Sequence, residues 1–194
     1  MKKYFHPILL LISLSISACT TNTNPQVPLT DQNLLKDRRT HSVIVADKEI
    51  ETDAYEELND DKDILEQCHV TVNAYNGATL ITGEVPTEEL KTKVLATVQV
   101  INNVKLIHDH LTVAEPSDLA SQENDKIITQ TVKKALKQIR SMHEFDPNTI
   151  KVVTENGVVY LMGLVQRDEG KVVINLTKLQ PGIKQIVTVL EYID

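Results

Sequence analysis

The chain has 194 residues and a formal charge of −7 at pH 7, with 27 Asp and Glu against 20 Lys and Arg. An acidic whole excludes a general nucleic-acid binder, because a phosphate backbone demands a basic surface. Only two cysteines are present, Cys19 and Cys68, so disulfides do not hold this protein together.

Lys2 and Lys3 open the chain, Ile8 to Ile16 is apolar apart from Ser13 and Ser15, and Ser17-Ala18 precede Cys19. A positive start, a short apolar core and a small-residue exit make a secretory signal peptide. The apolar run is too short to span a bilayer permanently, which takes roughly 20 residues. Ile16-Ser17-Ala18-Cys19 resembles the bacterial lipobox. The resemblance implies removal of residues 1–18 as a lipoprotein signal peptide and acylation of Cys19 by fatty chains such as palmitate. Thr20 stands where inner-membrane lipoproteins carry Asp, which implies the outer membrane, on its periplasmic side. More than one acyl chain gives stable anchoring. Without residues 1–18 the chain holds 18 bases and 27 acids, a formal −9. Residues 19–42 follow as the acylated N-terminus and a flexible tether, rich in Asn, Thr and Pro. Cys68 is expected to be a small buried residue and not a reactive thiol.

The remainder contains an internal repeat. Val70 to Val85 includes Asn76-Gly77 and then Gly83; Ile150 to Val165 includes Asn156-Gly157 and then Gly163, at an offset of 80. Asn103 to Ile107 matches Gly182 to Ile186 at an offset of 79, so the second copy has one residue fewer in the intervening helix. Each copy opens with a helix. An alternating strand follows, marked by Val70 and Val72 or by Ile150 and Val152. Asn-Gly between two β-rich runs predicts a tight hairpin, because both turn residues take positive φ. Gly83 and Gly163 are expected to serve backbone geometry at the ends of the second strands. A helix beginning at Pro86, with Leu90, Val94, Leu95 and Val98 as its apolar stripe, leads to a last strand over 104–113, and 183–193 is its counterpart. The predicted fold class is α+β, with two tandem α-β-β-α-β domains at 43–114 and 124–194, joined by a polar linker at 115–123. In each, a three-stranded mixed sheet is backed by two helices.

The Asn-Gly hairpin, the later Gly and this element order resemble the BON-domain family of bacterial envelope proteins. Asp37-Arg38-Arg39-Thr40, Val72 to Gly77 and Thr154 to Val165 extend the resemblance to its dual-BON, division-site-localised outer-membrane lipoproteins, over nearly the whole chain after Cys19. That membership implies no enzymatic activity, support of envelope integrity, and binding of anionic phospholipid by the first helix of the second domain. The matching residues are Asn124, Asp125, Lys126, Ile127, Gln130, Lys133, Lys134 and Lys137.

The segment's own chemistry agrees with that implication. Asn124 or Asp125 can cap a helix. At 100° per residue Ile128, Val132, Ala135, Leu136 and Ile139 share one face, predicted to be core. Lys126, Lys133, Lys137 and Arg140 fall opposite, with Ile127 and Lys134 on a flank. The equivalent stretch of the first copy, Asp47 to Glu66, holds ten acids and two bases. The basic copy therefore suits an anionic lipid surface. The acidic copy suits another partner, an outer-membrane assembly or cell-wall protein, which makes a periplasmic adaptor or chaperone the alternative reading. Relatives carry Trp where this chain has Ile127, and an interfacial aromatic supplies anchoring; Phe145 is the aromatic expected to take that part. No catalytic motif appears. His108-Asp109-His110 places two histidines on one strand face without an evident third ligand, and Asp60 to Asp63 lacks the Gly and Glu of a calcium loop, so neither a metal nor any other cofactor is expected.

Overall fold

The computed structural model describes residues 37–139, 142 and 145–193. Cys19 with the leader and most of the tether, and Arg140 at the end of the basic segment, lie outside those residues. The described part belongs to one compact unit spanning 31–194.

The first copy begins with α1, His41–Asp60, whose N-cap Thr40 accepts from the Val43 N–H. Ile50, Ala54 and Leu58 recur every fourth residue and form its buried stripe. A short helix absent from the expected order, α2 (Lys62–Gln67), follows at once. Asp61, in the acidic run set aside as a calcium loop, caps it by accepting from the Asp63 and Ile64 N–H groups. Strands β1 (His69–Tyr75) and β2 (Ala78–Val85) are antiparallel around Asn76 and Gly77, which have φ of 53° and 78°. These angles are the type I′ turn that Asn-Gly favours. Helix α3 (Glu88–Gln99) is capped by Thr87, so Pro86 stands before the cap and not in the first turn as expected. Strand β3 (Leu106–Val113) returns parallel to β2, which lies at the centre of the sheet.

The second copy repeats the plan with α4 (Leu119–Leu136), a 3₁₀ turn at Pro147–Thr149, β4 (Lys151–Glu155), β5 (Val158–Val165), α5 (Arg167–Lys178) and β6 (Gln185–Tyr192). Asn156 and Gly157 have φ of 50° and 78°, the same turn again. Helix α4 starts inside the segment expected to be linker. Its cap is Asp118, which accepts from Ser121, and not Asn124 or Asp125.

Strand alternation sends side chains to two buried faces. Ile81 and Val85 pack under Ile50, Ala54, Val94 and Val98, forming the first helix-covered core. Val159 and Leu161 pack under Ile128, Val132, Leu136 and Val173, forming the second. The opposite faces of the two sheets meet each other. Tyr75 and Leu80 from the first sheet join Tyr160, Met162 and Val189 from the second in a third cluster. The order of layers is helix, sheet, sheet, helix. Phe145 is buried in the second core, so it cannot anchor at a lipid surface as expected.

The two repeat glycines have different reasons to be there. Gly83 has φ +119°, and a Cβ on it would stand 1.8 Å from the His69 carbonyl oxygen. Gly163 has no such backbone; its Cβ would meet the Ile150 Cδ1 at 2.7 Å, the end of a movable side chain. Gly83→Ala is expected to cost more than about 3 kcal/mol of unfolding free energy, and Gly163→Ala about 1–2 kcal/mol. Denaturant unfolding of the two variants checks the order; equal losses would show that Gly83 is not held by its backbone.

Candidate functional site

Helix α4 buries Asp125, Ile128, Val132, Ala135 and Leu136, which sets the opposite side outward. Asn124, Lys126, Ile127, Gln130, Lys133, Lys134 and Lys137 lie outside that buried stripe, and Ile127 is 56% exposed. Leu119, two turns before Lys126, is 82% exposed. Lys126 pairs at 3.3 Å with Glu123 one turn earlier. Lys133, Lys134 and Lys137 have no carboxylate within salt-bridge distance among the described residues. Two concavities flank Lys133. One, of about 460 Å³, runs between α4 and β1 and is lined by Lys126, Gln130, His69 and Glu155 as well. The other, of about 310 Å³, brings Lys137 and Lys133 together with Arg39 and Lys151. Arg39 is engaged by Asp37 and Asp47 and lies 3.6 Å over the Tyr75 ring. Lys151 is paired with Glu51.

Asp125 does not share that outward position. Its two carboxylate oxygens accept from the N–H groups of Asn156, at 2.6 Å, and Gly157, at 2.8 Å. Asp47 on α1 does the same for Asn76, at 2.7 Å, and Gly77, at 2.8 Å. A carboxylate is the strongest acceptor available for the free N–H groups of a tight turn. The first helix of each domain is thereby pinned to its hairpin. Counting back from the two Asn-Gly pairs aligns Asp47 with Asp125 to within two residues, and that near-coincidence was the available sequence signal.

Residues 46–115 and 124–194 each match the BON domain family. The chain belongs to the BON-domain family. Curated relatives of this BON protein include "Outer membrane lipoprotein DolP" of Haemophilus influenzae, 26% identical over 81% of this chain and 80% of the relative. The "21 kDa hemolysin" of Actinobacillus pleuropneumoniae is 24% identical over the same shares. Among solved structures, the C-terminal domain of CdsD, a type III secretion structural protein of Chlamydia trachomatis, aligns over 74% of this chain and 96% of its own. Its identity is 15% and its TM-score 0.27. This dual-BON protein is an outer-membrane lipoprotein, as the first of these relatives is. Among the described residues no helix is long and apolar enough to cross a membrane.

The two BON domains are tied along their seam by polar groups that sequence reasoning did not connect. Arg38, in the segment read as tether, donates to both Glu169 oxygens, at 2.6 and 2.7 Å, and to the Leu164 carbonyl. That bond holds the Glu169 carboxyl below its usual range. His69 on β1 lies 3.0 Å from Glu84 on β2 and 3.7 Å from Glu155 on β4. Glu84 also accepts from Asn156 and from the Ser117 N–H. His108 and His110 share a strand face with that seam, where the His110 ring meets Tyr160 edge-on at 4.9 Å. Asp109 points the other way, to Lys91. Cys68 is half-buried, and burial, with Asp61 nearby, raises its thiol pKa and keeps it protonated.

Removing the pinning carboxylate in Asp125→Ala should cost about 2–3 kcal/mol of unfolding free energy, with Asp125→Asn losing about half as much, by chemical denaturation. Glu155 supplies a pH test. Burial, with Glu84 and Asp125 nearby and His69 opposing, pushes its pKa from 4.5 up to about 7. The folded state therefore keeps a proton that the unfolded state has released between those values. Stability contributed at low pH is lost as pH rises from 4.5 to about 7. Glu155→Gln should flatten that fall and exceed the parent's thermal midpoint at about pH 7.5 in metal-free buffer, while matching it near pH 4.5.

Proposed function

We propose that this outer-membrane lipoprotein binds anionic phospholipid through α4 of its second BON domain, and that it supports envelope integrity in this way, including at the division site, without catalysing a reaction. One observation carries the reading. Lys133, Lys134 and Lys137 lie on the outward side of α4 and have no carboxylate partner among the described residues, in a chain of net negative charge. Each such base near an anionic surface contributes on the order of 1 kcal/mol. The exposed Ile127 and Leu119 add apolar contact at the headgroup boundary. Asn124, Lys126 and Gln130 supply polar contacts around them, and Asp125 serves by holding the helix in place. Acylation at Cys19 gives the first membrane signal and α4 the second, so the protein concentrates where anionic lipid does.

A second reading has its own observation. On α1 and beside it Tyr55, Leu65 and Val100 are 72%, 56% and 82% exposed among the exposed acids Glu56, Glu57 and Asp60. Single apolar side chains standing among acids fit a protein partner with a basic surface, such as an assembly or cell-wall factor. Crosslinking at Glu56 that recovers one specific partner supports that role.

The lipid reading is tested on residues 19–194 with Cys19→Ser, which removes the acyl chains. Sedimentation with phosphatidylglycerol vesicles should show binding that weakens with salt. The triple variant Lys133→Glu, Lys134→Glu, Lys137→Glu should lose about 100-fold or more in affinity with its circular dichroism unchanged. Undiminished binding would refute the assignment of α4.

A further inference from the structure

Glu155 is an unusual group to find in the seam. It is only 8% exposed. No hydrogen-bond donor reaches its carboxylate among the described residues, and the His69 Nδ1 stands 3.7 Å from its Oε1. A largely buried carboxylate without a protein donor costs free energy unless water, a proton or a cation compensates it. The same Nδ1 lies 3.0 Å from the Glu84 Oε2, and Glu84 is itself 2% exposed. One ligand atom from each of the three residues falls within 4.8 Å of the other two.

We propose that His69, Glu84 and Glu155 bind a divalent transition-metal ion of the zinc class, which clamps the two BON domains together. Imidazole and carboxylate ligands hold zinc at about 2.0–2.2 Å, which puts tetrahedral ligand atoms roughly 3.4 Å apart. The observed separations bracket that figure, so small side-chain rotations complete the set. An imidazole ligand favours zinc, copper or nickel over magnesium or calcium, which prefer all-oxygen sites. Glu84 is already oriented from behind by Asn156 and the Ser117 N–H, as ligating carboxylates are. His69 and Glu155 also line the 460 Å³ cleft, from which water can fill the remaining coordination position. The ligands come from β1 and β2 of one domain and β4 of the other. Metal binding therefore opposes separation of the sheets, and it displaces any proton shared within the cluster. None of this depends on α4 binding lipid.

The test uses the full-length acylated protein in detergent, stripped with chelator and titrated with zinc chloride by calorimetry at about pH 7.5. One equivalent should bind with proton release and raise the thermal midpoint. Cobalt(II) in place of zinc should give tetrahedral visible absorption. Glu155→Gln and His69→Gln should each weaken zinc binding by about 10-fold or more and abolish the cobalt bands. The Glu155→Gln change removes a carboxylate that no protein donor reaches, at nearly constant shape, so the fold is kept, and the metal-free melt of each variant confirms it. His108→Gln, at a histidine of β3 on the same sheet face but in register with Leu80 and outside the cluster, should bind as the parent does. Absence of stoichiometric zinc binding, or equal binding by the parent and both cluster variants, would overturn the proposal.

Discussion

A carboxylate on the first helix, locked onto two N–H groups of an Asn-Gly turn, orients each domain. It decides which way the helix is rolled over the sheet. With Asp47 and Asp125 fixed inward, Ile50 and Ile128, Ala54 and Val132, and Leu58 and Leu136 fall into the same core positions. Every residue between them is then assigned to core or surface. The surfaces so presented differ in kind: where α1 shows Glu49, Tyr55 and Glu56, α4 shows Ile127, Lys133 and Lys134. One scaffold, kept in register by one interaction, carries an acidic face in the first domain and a basic face in the second.

Stacking the sheets constrains both faces further. The seam is asymmetric. The second sheet brings Val153, Val158, Tyr160, Met162, Leu164, Val187 and Val189, and the first brings few apolar groups besides Tyr75, Ala78 and Leu80. Thr71, Asn73, Thr82 and His110 lie on that first face too, by their register with Leu80 and Glu84. A largely polar face meeting an apolar one buries groups that must find partners. The His69–Glu84–Asn156 chain and the Arg38–Glu169 pair are such partners, and they make the two domains one unit in spite of a short polar linker.

Much of the fold was legible in the chain. The hairpins, the repeat and the apolar stripe of α4 follow from turn chemistry and periodicity, and each residue of the predicted stripe is buried or half-buried. Positions governed by tertiary contact were not legible. Asp125 reads as a cap or a polar contact until its hairpin is folded beside it, and Phe145 reads as free until a core closes over it. The start of α4 was missed because Asp118 and Ser121 look like linker residues. Alternation tells which side a strand residue faces, not what covers that side. Here both sides are covered, so His69, Glu84 and Glu155, far apart in sequence, look solvent-directed when they converge in the seam.

The layer order gives the charge contrast its direction. Helices α1 and α4 lie in opposite outer layers, with two sheets between them. From Lys126 to Arg140 the chain has five bases and no acid, whereas Asp47 to Glu66 carries ten acids and two bases. An anionic surface attracts the first segment and repels the second. Both effects favour the same pose and fade together beyond a Debye length. If α4 meets anionic lipid as proposed, the basic side is drawn to the membrane and the acidic side is turned away from it. Because the seam holds the domains as one unit, a repulsion acting on α1 at such a surface would be transmitted as an orientation of α4, which a flexible pair of domains would not provide.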